Sequence, residues 1–338
     1  MNRFLNIILF PLFIIYLLIV IIRNYLYDIK LFKSTKLPCK IISVGNITVG
    51  GTGKTPTVIT ITKFLQQKNK TVAVLSRGYG RNTTGTQLVT DGKKNLTNWK
   101  NVGDEPILMA KHLSDIPIVV DENRVRGAKY LIDNFNPEII ILDDGFQHRK
   151  IHRDVDIVLI NSNISKLNNR IFNFRVFREP WISLKRANLI FLTKSDFVAP
   201  SKKLLQRLGS FGLPLFKTNL SPSSYLLDHK NKKINIDYFI GKTALLFSGI
   251  GDPKSFEKII QSLNINIINS INFKDHKKYS KSDIEKISNK YIKTKTDVII
   301  TTEKDLLKIG KTDLPIFTIP ITMNINKNGY EQILKHLN

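Results

Sequence analysis

A glycine-rich turn near the start of the chain has the composition of a phosphate-binding loop. The segment VGNITVGGTGKTP (44–56) follows an apolar run and precedes apolar residues at helical spacing, which is the order of strand, loop and helix in such sites. Glycines lack a Cβ, so their backbone N–H groups can approach phosphate oxygens closely. The predicted nucleotide-binding residues are Thr48, Val49, Gly50, Gly51, Thr52, Gly53, Lys54 and Thr55.

The end of this loop has the side chains that phosphoryl transfer requires. Lys54 is expected to reach the β- and γ-phosphates, which makes it a candidate catalytic residue, and the Thr55 hydroxyl is expected to bind Mg²⁺. The loop departs from the usual pattern at Thr48, where a glycine is common. The motif predicts binding of a nucleoside triphosphate, but it leaves open whether the phosphoryl group goes to water, to protein or to a small acceptor.

Two consecutive aspartates at the end of an apolar run are candidates for the same metal. In EIIILDDG (138–145) the run indicates a strand, and Asp143 and Asp144 stand at its carboxyl end. In a P-loop fold, a carboxylate at the end of a neighbouring strand supports the Mg²⁺ held by the loop hydroxyl. The alternative is that the two aspartates only cap the next turn.

Three further polar features are weak evidence for a functional role when each is taken alone. Asp104, in GDEP (103–106), precedes a helical pattern and would ordinarily be a helix N-cap, while His276 would be a surface histidine in a basic segment. TKSD (193–196) follows a strand and loosely resembles the base-reading motif of GTPases. Cys39 is the only cysteine, and no zinc site is expected.

The N-terminal segment is apolar enough to enter a membrane. Residues 4–22 would form a helix of about 28 Å, close to the thickness of a bilayer core. A signal peptide is disfavoured because no small-residue cleavage site follows, and a buried core helix is the remaining alternative. Basic residues after the segment place the body of the protein in the cytoplasm by the positive-inside rule. They are Arg23, Lys30, Lys33, Lys36 and Lys40.

Strand-like runs alternate with helical patterns along the rest of the chain. Runs at 71–76, 117–121, 138–143, 156–160 and 188–193 indicate a parallel sheet with helices on both faces. Polar sequence at 221–224 and 229–233 is interpreted as a hinge, and the runs at 243–248, 268–273, 297–301 and 315–319 suggest a smaller unit. The predicted fold class is α/β: a P-loop NTPase-like parallel sheet, a smaller C-terminal α/β domain and an N-terminal membrane-anchoring helix. The predicted division is 1–30 for the anchor, 31–222 for the P-loop domain and 223–338 for the hinge and smaller domain.

The charge of the chain points to an anionic partner. Lys and Arg number 52 against 27 Asp and Glu, which gives a formal net charge of +25. Such a surface suits a phospholipid membrane, a phosphorylated substrate or nucleic acid. Nucleic acid is not expected, because no recognition motif or aromatic platform accompanies the charge.

A set of motifs in order along the chain resembles a known family. With the P-loop, the set is SRGYGR (76–81), GDEP (103–106), DDGFQHR (143–149), FREP (177–180), TKSD (193–196) and TTEKD (301–305). Over nearly its whole length the chain resembles the tetraacyldisaccharide 4′-kinase family of lipid A biosynthesis. The resemblance implies a kinase that transfers the γ-phosphate of ATP, with Mg²⁺, to the 4′-hydroxyl of a tetraacylated glucosamine disaccharide 1-phosphate.

The resemblance also implies partners and residue roles. The protein would act at the cytoplasmic side of the bacterial inner membrane on this anionic glycolipid, in contact with membrane lipids and without an obligate protein partner. Asp104 would be the base near the sugar hydroxyl, with His276 as its partner from the second domain. Asp143, Asp144 and Gln147 would belong to the metal site. Residues in motifs near a nucleotide or lipid phosphate are Tyr79, Arg124, Arg178 and Glu179.

Two points leave room for another interpretation. This chain departs from the family in the Asp-His segment, where Lys277 and Lys278 follow His276. The alternative function is a membrane-associated P-loop GTPase or ATPase that works as a switch or targeting factor, which TKSD and the anchor suggest. That alternative predicts a preference for GTP and hydrolysis that glycolipid does not affect.

Overall fold

The apolar runs of the sequence form the strands of two sheets. The structure is a computed structural model that describes residues 3–94, 97–164, 177–310 and 312–337. The strands are β1 (Lys40–Asn46), β2 (Val72–Ser76), β3 (Gln87–Thr90), β4 (Ile118–Val120), β5 (Ile139–Asp143), β6 (Val155–Asn161), β7 (Leu189–Thr193), β8 (Leu215–Pro222), β9 (Tyr225–Asp228), β10 (Lys233–Asn235), β11 (Thr243–Ser248), β12 (Asn266–Asn272), β13 (Val298–Thr301), β14 (Ile316–Thr318) and β15 (Ile321–Asn324).

Helices separate most of these strands. The α-helices are α1 (Arg3–Asp28), α2 (Lys54–Gln67), α3 (Trp99–Val102), α4 (Asp104–His112), α5 (Arg124–Phe135), α6 (Lys202–Gly209), α7 (Pro253–Gln261), α8 (Lys281–Thr294), α9 (Glu303–Leu306) and α10 (Lys327–Leu337). Short 3₁₀ helices lie at Trp181–Arg186 and Ile236–Phe239.

The larger sheet has nine strands in the order β15-β8-β7-β6-β1-β5-β2-β4-β3. Its neighbours pair in parallel except at the two edges, where β3 and β15 run antiparallel to β4 and β8. The central strands β1, β2, β5, β6 and β7 are buried on both faces, which explains why they read as continuous apolar runs. Because β1 lies between β5 and β6, the loop after β1 opens beside the end of β5 at the carboxyl edge of the sheet.

Helices cover both faces of the larger sheet. Val58, Ile61 and Leu65 of α2 pack with residues of α4 and α10 on one face. Ala128 and Leu131 of α5 pack on the other face, on which α6 also lies further along the sheet. These layers confirm the predicted α/β fold class with a parallel sheet and helices on both faces.

The smaller sheet has six strands in the order β10-β9-β14-β13-β11-β12. Its core packs α7 on one face through Phe256 and Ile260, and α8 on the other through Ile287. In the segment interpreted as a hinge, β9 and β10 form an antiparallel hairpin, and 229–233 is largely their turn. The end of the chain also leaves the smaller sheet, since β15 pairs with β8 and α10 packs on the larger sheet. The division of the chain at residue 222 stays a prediction.

Helix α1 is the predicted apolar segment. Its Pro11–Asp28 part is long and apolar enough to cross a membrane, by length and composition, and only 11% of that part is buried. This low burial distinguishes it from the core helix of a soluble domain. Its end is docked on the body: Asn24 Nδ2 donates to Glu179 Oε2 at 3.0 Å, and Arg149 Nη1 donates to the Asn24 carbonyl at 2.8 Å.

Candidate active site

The phosphate-binding loop has glycines at the positions where the backbone requires them. Gly50 and Gly53 have φ values of 111° and 86°, a region that L-residues with side chains rarely adopt. Thr48, the departure from the usual pattern, is buried and forms a backbone bridge with Phe177. The threonine is therefore accommodated as part of a short antiparallel contact.

The loop ends at the N-terminus of α2, where backbone N–H groups without helical partners favour an anion. Lys54 and Thr55 are the first residues of this helix, and Thr55 is mostly buried. Thr52 Oγ1 accepts a hydrogen bond of 3.0 Å from Asn46 Nδ2, which fixes the middle of the loop to the end of β1. Lys54 Nζ lies 3.6 Å from Asp144 Oδ1, so the loop and the aspartate pair form one site.

Asp143 is a buried carboxylate with one oxygen unused. Its Oδ2 accepts a hydrogen bond of 2.9 Å from Ser76 Oγ, while Oδ1 has no hydrogen-bond partner among the described residues. Burial, with the nearby carboxylates of Glu105 and Asp144, raises the pKa of Asp143 to about 7, although Lys54 opposes the shift. A buried carboxylate of raised pKa is a common mark of a functional site.

Asp144 faces cations on the other side of the strand end. It has a φ of 54°, and its two carboxylate oxygens accept bonds of 2.8 and 2.6 Å from Arg178 Nη1. Burial would raise the pKa of Asp144, but Lys54 and Arg178 together hold it below its usual value. Asp143 ends β5, whereas Asp144 begins the turn in a left-handed conformation, and the two aspartates have separate partners.

The residues predicted to hold Mg²⁺ fit that ion. In the part of the chain that the structure describes, no group of three or more His, Cys, Asp or Glu is arranged as a metal cage. Mg²⁺ does not need one, because it usually keeps several waters and takes one or two carboxylates together with phosphate oxygens. Asp143 Oδ1, which is without a hydrogen-bond partner among the described residues, and the Thr55 hydroxyl suit it. Gln147 lies in the turn after β5, and its Nε2 donates to the carbonyl of Asn46, the last residue of β1, at 2.9 Å.

Asp104 and His276 meet although they come from different sheets. Asp104 is the first residue of α4, and its Oδ2 lies 3.3 Å from His276 Nδ1 and 3.2 Å from Lys308 Nζ. Burial would raise the pKa of Asp104, but the His276 hydrogen bond and the ammonium groups of Lys304 and Lys308 lower it well below its usual value. The carboxylate is therefore ionised at neutral pH.

The imidazole of His276 is held from three sides. The backbone of His276 is strained, with a φ of 55°, and the backbone N–H of His276 donates to the Gly249 carbonyl at 3.1 Å. The ring lies 4.9 Å from the ring of Tyr79, between centroids, and Lys304 Nζ is 3.4 Å from Nε2. Nδ1 faces the ionised Asp104 carboxylate, which can only accept, so this ring nitrogen is the donor of the pair.

Glu105 connects the two halves of the site. Its Oε1 accepts a bond of 3.0 Å from Lys304 Nζ. Burial would raise the pKa of Glu105, but Lys304 and Lys54 outweigh this effect and hold the pKa below its usual value. The charge of Glu105 in turn contributes to the raised pKa of Asp143. The phosphate loop, the aspartate pair and the Asp104–His276 pair therefore share one electrostatic environment.

The smaller unit also touches the loop directly. A Cβ placed on Gly251 would lie 3.0 Å from the Gly51 nitrogen, so the two backbones are close. Next to this contact, Lys194 of the TKSD segment forms a short ion pair with Asp252, which is the N-cap of α7. The lysine of the suspected base-reading motif is thus engaged with a carboxylate of the smaller unit.

A cluster of cations lies between the aspartate pair and the end of α1. Arg124 is 3% exposed, and its Nε and Nη2 have no partner among the described residues, although Nη1 donates to the Asp121 carbonyl at 2.6 Å. Burial lowers the pKa of Arg124 to about 10. Burial, with the charges of Arg124 and Arg77, also lowers the pKa of His148 to about 3, so this imidazole stays neutral.

Glu179 differs from the other motif residues because both of its carboxylate oxygens bind side chains of the protein. It is fully buried and accepts bonds from Asn24 of α1 and Arg186 of the 3₁₀ helix at 3.0 and 2.8 Å. These contacts attach the apolar helix to the body of the protein. Its acceptor oxygens are used within the chain.

Sequence reasoning gave no role to the lysines that complete the site. Lys304 and Lys308 contact Glu105 and Asp104 from the smaller unit, and only the quoted TTEKD motif, which contains Lys304, marked their neighbourhood. Asp252 was likewise missed, although an aspartate before a proline and a helical pattern is a recognisable N-cap signal.

Comparisons with known proteins agree in one family. The family model described as tetraacyldisaccharide-1-P 4′-kinase matches residues 5–338. The tetraacyldisaccharide 4′-kinase of Chlorobaculum tepidum is 39% identical over 313 residues, which are 91% of this chain and 88% of the relative. The enzyme of that name from Aquifex aeolicus is 36% identical, over 89% of each chain. The crystal structure of the apo form of LpxK from Aquifex aeolicus in complex with ATP superposes with a TM-score of 0.80 at 33% identity, over 99% of this chain and 100% of that one.

Proposed function

Because the chain belongs to the tetraacyldisaccharide-1-P 4′-kinase family, we propose that it transfers the γ-phosphate of ATP to the 4′-hydroxyl of a tetraacylated disaccharide 1-phosphate in lipid A biosynthesis. The observation that supports this most is the position of the Asp104–His276 pair, which shares a cleft with the phosphate loop through Glu105.

The nucleotide phosphates are held by the loop. The N–H groups at the start of α2 and the Lys54 ammonium bind the phosphate oxygens and offset the charge that develops on them during transfer. Thr55, Asp143, Asp144 and Gln147 would hold the Mg²⁺. When bound there, Mg²⁺ supplies Lewis-acid stabilisation of the phosphoryl oxygens.

Asp104 accepts the proton of the sugar hydroxyl. The oxygen of the 4′-hydroxyl forms a bond to the γ-phosphorus, the bond from that phosphorus to the β,γ-bridging oxygen breaks, and ADP leaves with the electron pair. A carboxylate of lowered pKa is ionised at neutral pH and takes the proton as the new O–P bond forms. His276 orients the carboxylate through Nδ1.

The acceptor's own phosphate binds the cation cluster near α1. Arg124 offers two buried guanidinium nitrogens that have no hydrogen-bond partner in the described part of the chain, and Arg77 adds charge beside it. A guanidinium presents its donors in a fixed fork that suits a phosphate. An anionic headgroup held there would have its acyl chains beside the exposed apolar side of α1.

Membrane association brings enzyme and acceptor together. The exposed side of α1 consists of large apolar residues, and the charge of Arg23, near its docked end, acts on His148 of the cation cluster. We infer that α1 enters the cytoplasmic leaflet of the bacterial inner membrane and holds the site at the level of the headgroups. No obligate protein partner enters this account.

Turnover of ATP and GTP with and without a tetraacyl disaccharide 1-phosphate tests the proposal. The kinase proposal predicts that ATP consumption depends on the glycolipid and yields a phosphorylated lipid. GTP hydrolysis that the glycolipid does not change would contradict it and would favour a switch or targeting factor instead.

A further inference from the structure

A lysine that the family resemblance left without a role lies at the centre of the closed cleft. Lys308 follows α9, and its side chain is 1% exposed. Its Nζ lies 3.2 Å from Asp104 Oδ2 and 3.3 Å from Asp305 Oδ1. Lysine is rarely buried to this degree unless it is paired, so these two carboxylates account for its position.

The second of these carboxylates is itself fixed. Asp305 is fully buried, and its Oδ2 accepts hydrogen bonds of 3.0 Å from the Gly249 N–H and 2.7 Å from Thr302 Oγ1. The Gly249 carbonyl in turn accepts a hydrogen bond of 3.1 Å from the backbone N–H of His276. Lys308 and His276 are therefore attached to the same loop, and they reach Asp104 as one rigid group.

The donors around Asp104 are distributed unequally over its two oxygens. Oδ2 receives His276 Nδ1 and Lys308 Nζ, whereas Oδ1 receives the Glu105 N–H at 3.0 Å. Each carboxylate oxygen has about two acceptor sites. Oδ2 is therefore saturated from the smaller unit, and Oδ1 retains one acceptor site.

We propose that Lys308 is a positioning residue for phosphoryl transfer: it pins Asp104 Oδ2, together with His276, so that Oδ1 is the atom that takes the proton of the acceptor hydroxyl. The inference rests on the proposed function, because it presumes that Asp104 is the base. Lys308 comes from the smaller unit, so the carboxylate acquires this orientation only when the cleft is closed. An open cleft would leave Asp104 free to rotate, which would limit transfer to water.

The groups that face Asp104 set the expected effect of pH. They are the cations of Lys304 and Lys308, the His276 imidazole and the Glu105 carboxylate, which is paired with Lys304. Removing the Lys308 ammonium takes away a favourable interaction with ionised Asp104 and raises the pKa of the carboxylate. The acid limb of kcat should then move to higher pH, which a purely structural role for Lys308 would not cause.

The test compares Lys308→Met with Lys258→Met in the full-length protein, at saturating ATP and Mg²⁺. Lys258 is a matched control, because it also reaches from the smaller unit to the larger one, through the Phe197 carbonyl at 3.3 Å. We expect Lys308→Met to lower kcat at least about tenfold, with KM for ATP within about twofold of the parent and the acid limb displaced upward. Lys258→Met should keep the parent values of all three.

A second variant controls for misfolding, because Lys308→Met leaves the Asp305 carboxylate buried without its cation and could destabilise the protein. Lys308→Met/Asp305→Asn removes both charges and should show the same fall in kcat and the same displaced limb, with its melting temperature measured alongside. A parent-like kcat or an unmoved acid limb in this double variant would overturn the inference. Asp104→Asn distinguishes the proposed function from the role of Lys308. Full activity of Asp104→Asn would refute Asp104 as the base. Loss of activity in Asp104→Asn together with parent-like activity of the Lys308 variants would refute only the role of Lys308.

Discussion

Asp104 Oδ2 and His276 Nδ1 lie 3.3 Å apart although 172 residues separate them in the chain. Asp104 begins α4 on the larger sheet, and His276 lies in the loop after β12 of the smaller one. The pair therefore exists only when the two units are closed on each other. Closure of this kind assembles a base beside a bound nucleotide and protects the reaction from water.

Asp104 and His276 should depend on each other in catalysis. Asp104→Asn should lower kcat by roughly 10²–10⁴-fold, the usual contribution of a general base. His276→Gln should have a smaller effect, because it removes the orienting group and not the proton acceptor. The double variant should be about as slow as Asp104→Asn alone, as measured by single-turnover kinetics with glycolipid acceptor. Additive losses in this cycle would mean that the two residues act independently.

The acid stability of the protein should depend on the same carboxylate. The pKa of Asp104 in the folded state is below its value of about 3.8 in an unfolded chain, so its contribution to stability is fully present above that value. The contribution is lost as the pH falls through the lower, folded-state pKa. Asp104→Asn should therefore lower the melting temperature at neutral pH, and the difference from the parent should shrink below about pH 3.8. A difference that stays constant down to pH 2 would rule out this linkage.

The ion pair of Lys194 and Asp252 should help to keep the cleft closed. It joins the end of β7 to the N-cap of α7 beside Gly51 of the phosphate loop. We expect Lys194→Met to raise hydrolysis of ATP relative to transfer, because a cleft that closes less fully admits water. The ratio of free phosphate to phosphorylated lipid measures this effect.

Lys202→Met serves as the control for that experiment, since Lys202 is an exposed residue of the larger unit at the start of α6. A ratio in Lys194→Met equal to that of Lys202→Met and of the parent would show that the ion pair does not govern closure.

The exposed side of α1 should determine membrane binding. Leu18 and Ile19 are 52% and 59% exposed, and replacing both by lysine introduces charges that are costly in a bilayer, at about 2.5–3.5 kcal/mol each near its centre. The double variant should be largely released from anionic vesicles in a flotation assay, while kcat in detergent stays within about twofold of the parent. Leu31→Lys, at an exposed apolar residue beyond the end of α1, is the matched control and should stay bound. Equal vesicle binding by all three proteins would exclude α1 as the membrane contact.

The parts of the fold and site that could be predicted are those encoded locally. Strands β1 and β5 are buried on both faces, so each is a continuous apolar run that can be recognised in the sequence. The phosphate loop and Asp143 lie where these two runs end. The positive φ of Gly50 and Gly53 agrees with the glycines of the motif. Sequence spacing is sufficient for these features because a few consecutive residues determine them.

The remaining features depend on contacts between distant residues. Lys308 and Lys304 meet their partners Asp104 and Glu105 across 204 and 199 residues, so no local pattern could assign them. Strand β15 is recognisable only through its antiparallel pairing with β8, and the hairpin β9–β10 has short, partly exposed strands without clear alternation. Short, partly exposed strands of this kind read as loops in a sequence.

The central claim is that the loop around Lys54 holds ATP with its terminal phosphate directed at a sugar hydroxyl. Mass spectrometry of a tetraacyl disaccharide 1-phosphate after incubation with the protein, ATP and Mg²⁺ tests it most directly. The account predicts a gain of one phosphate, located at the 4′ position by fragmentation, and no gain with Lys54→Met. An unchanged lipid while the parent protein binds and consumes ATP would contradict the account.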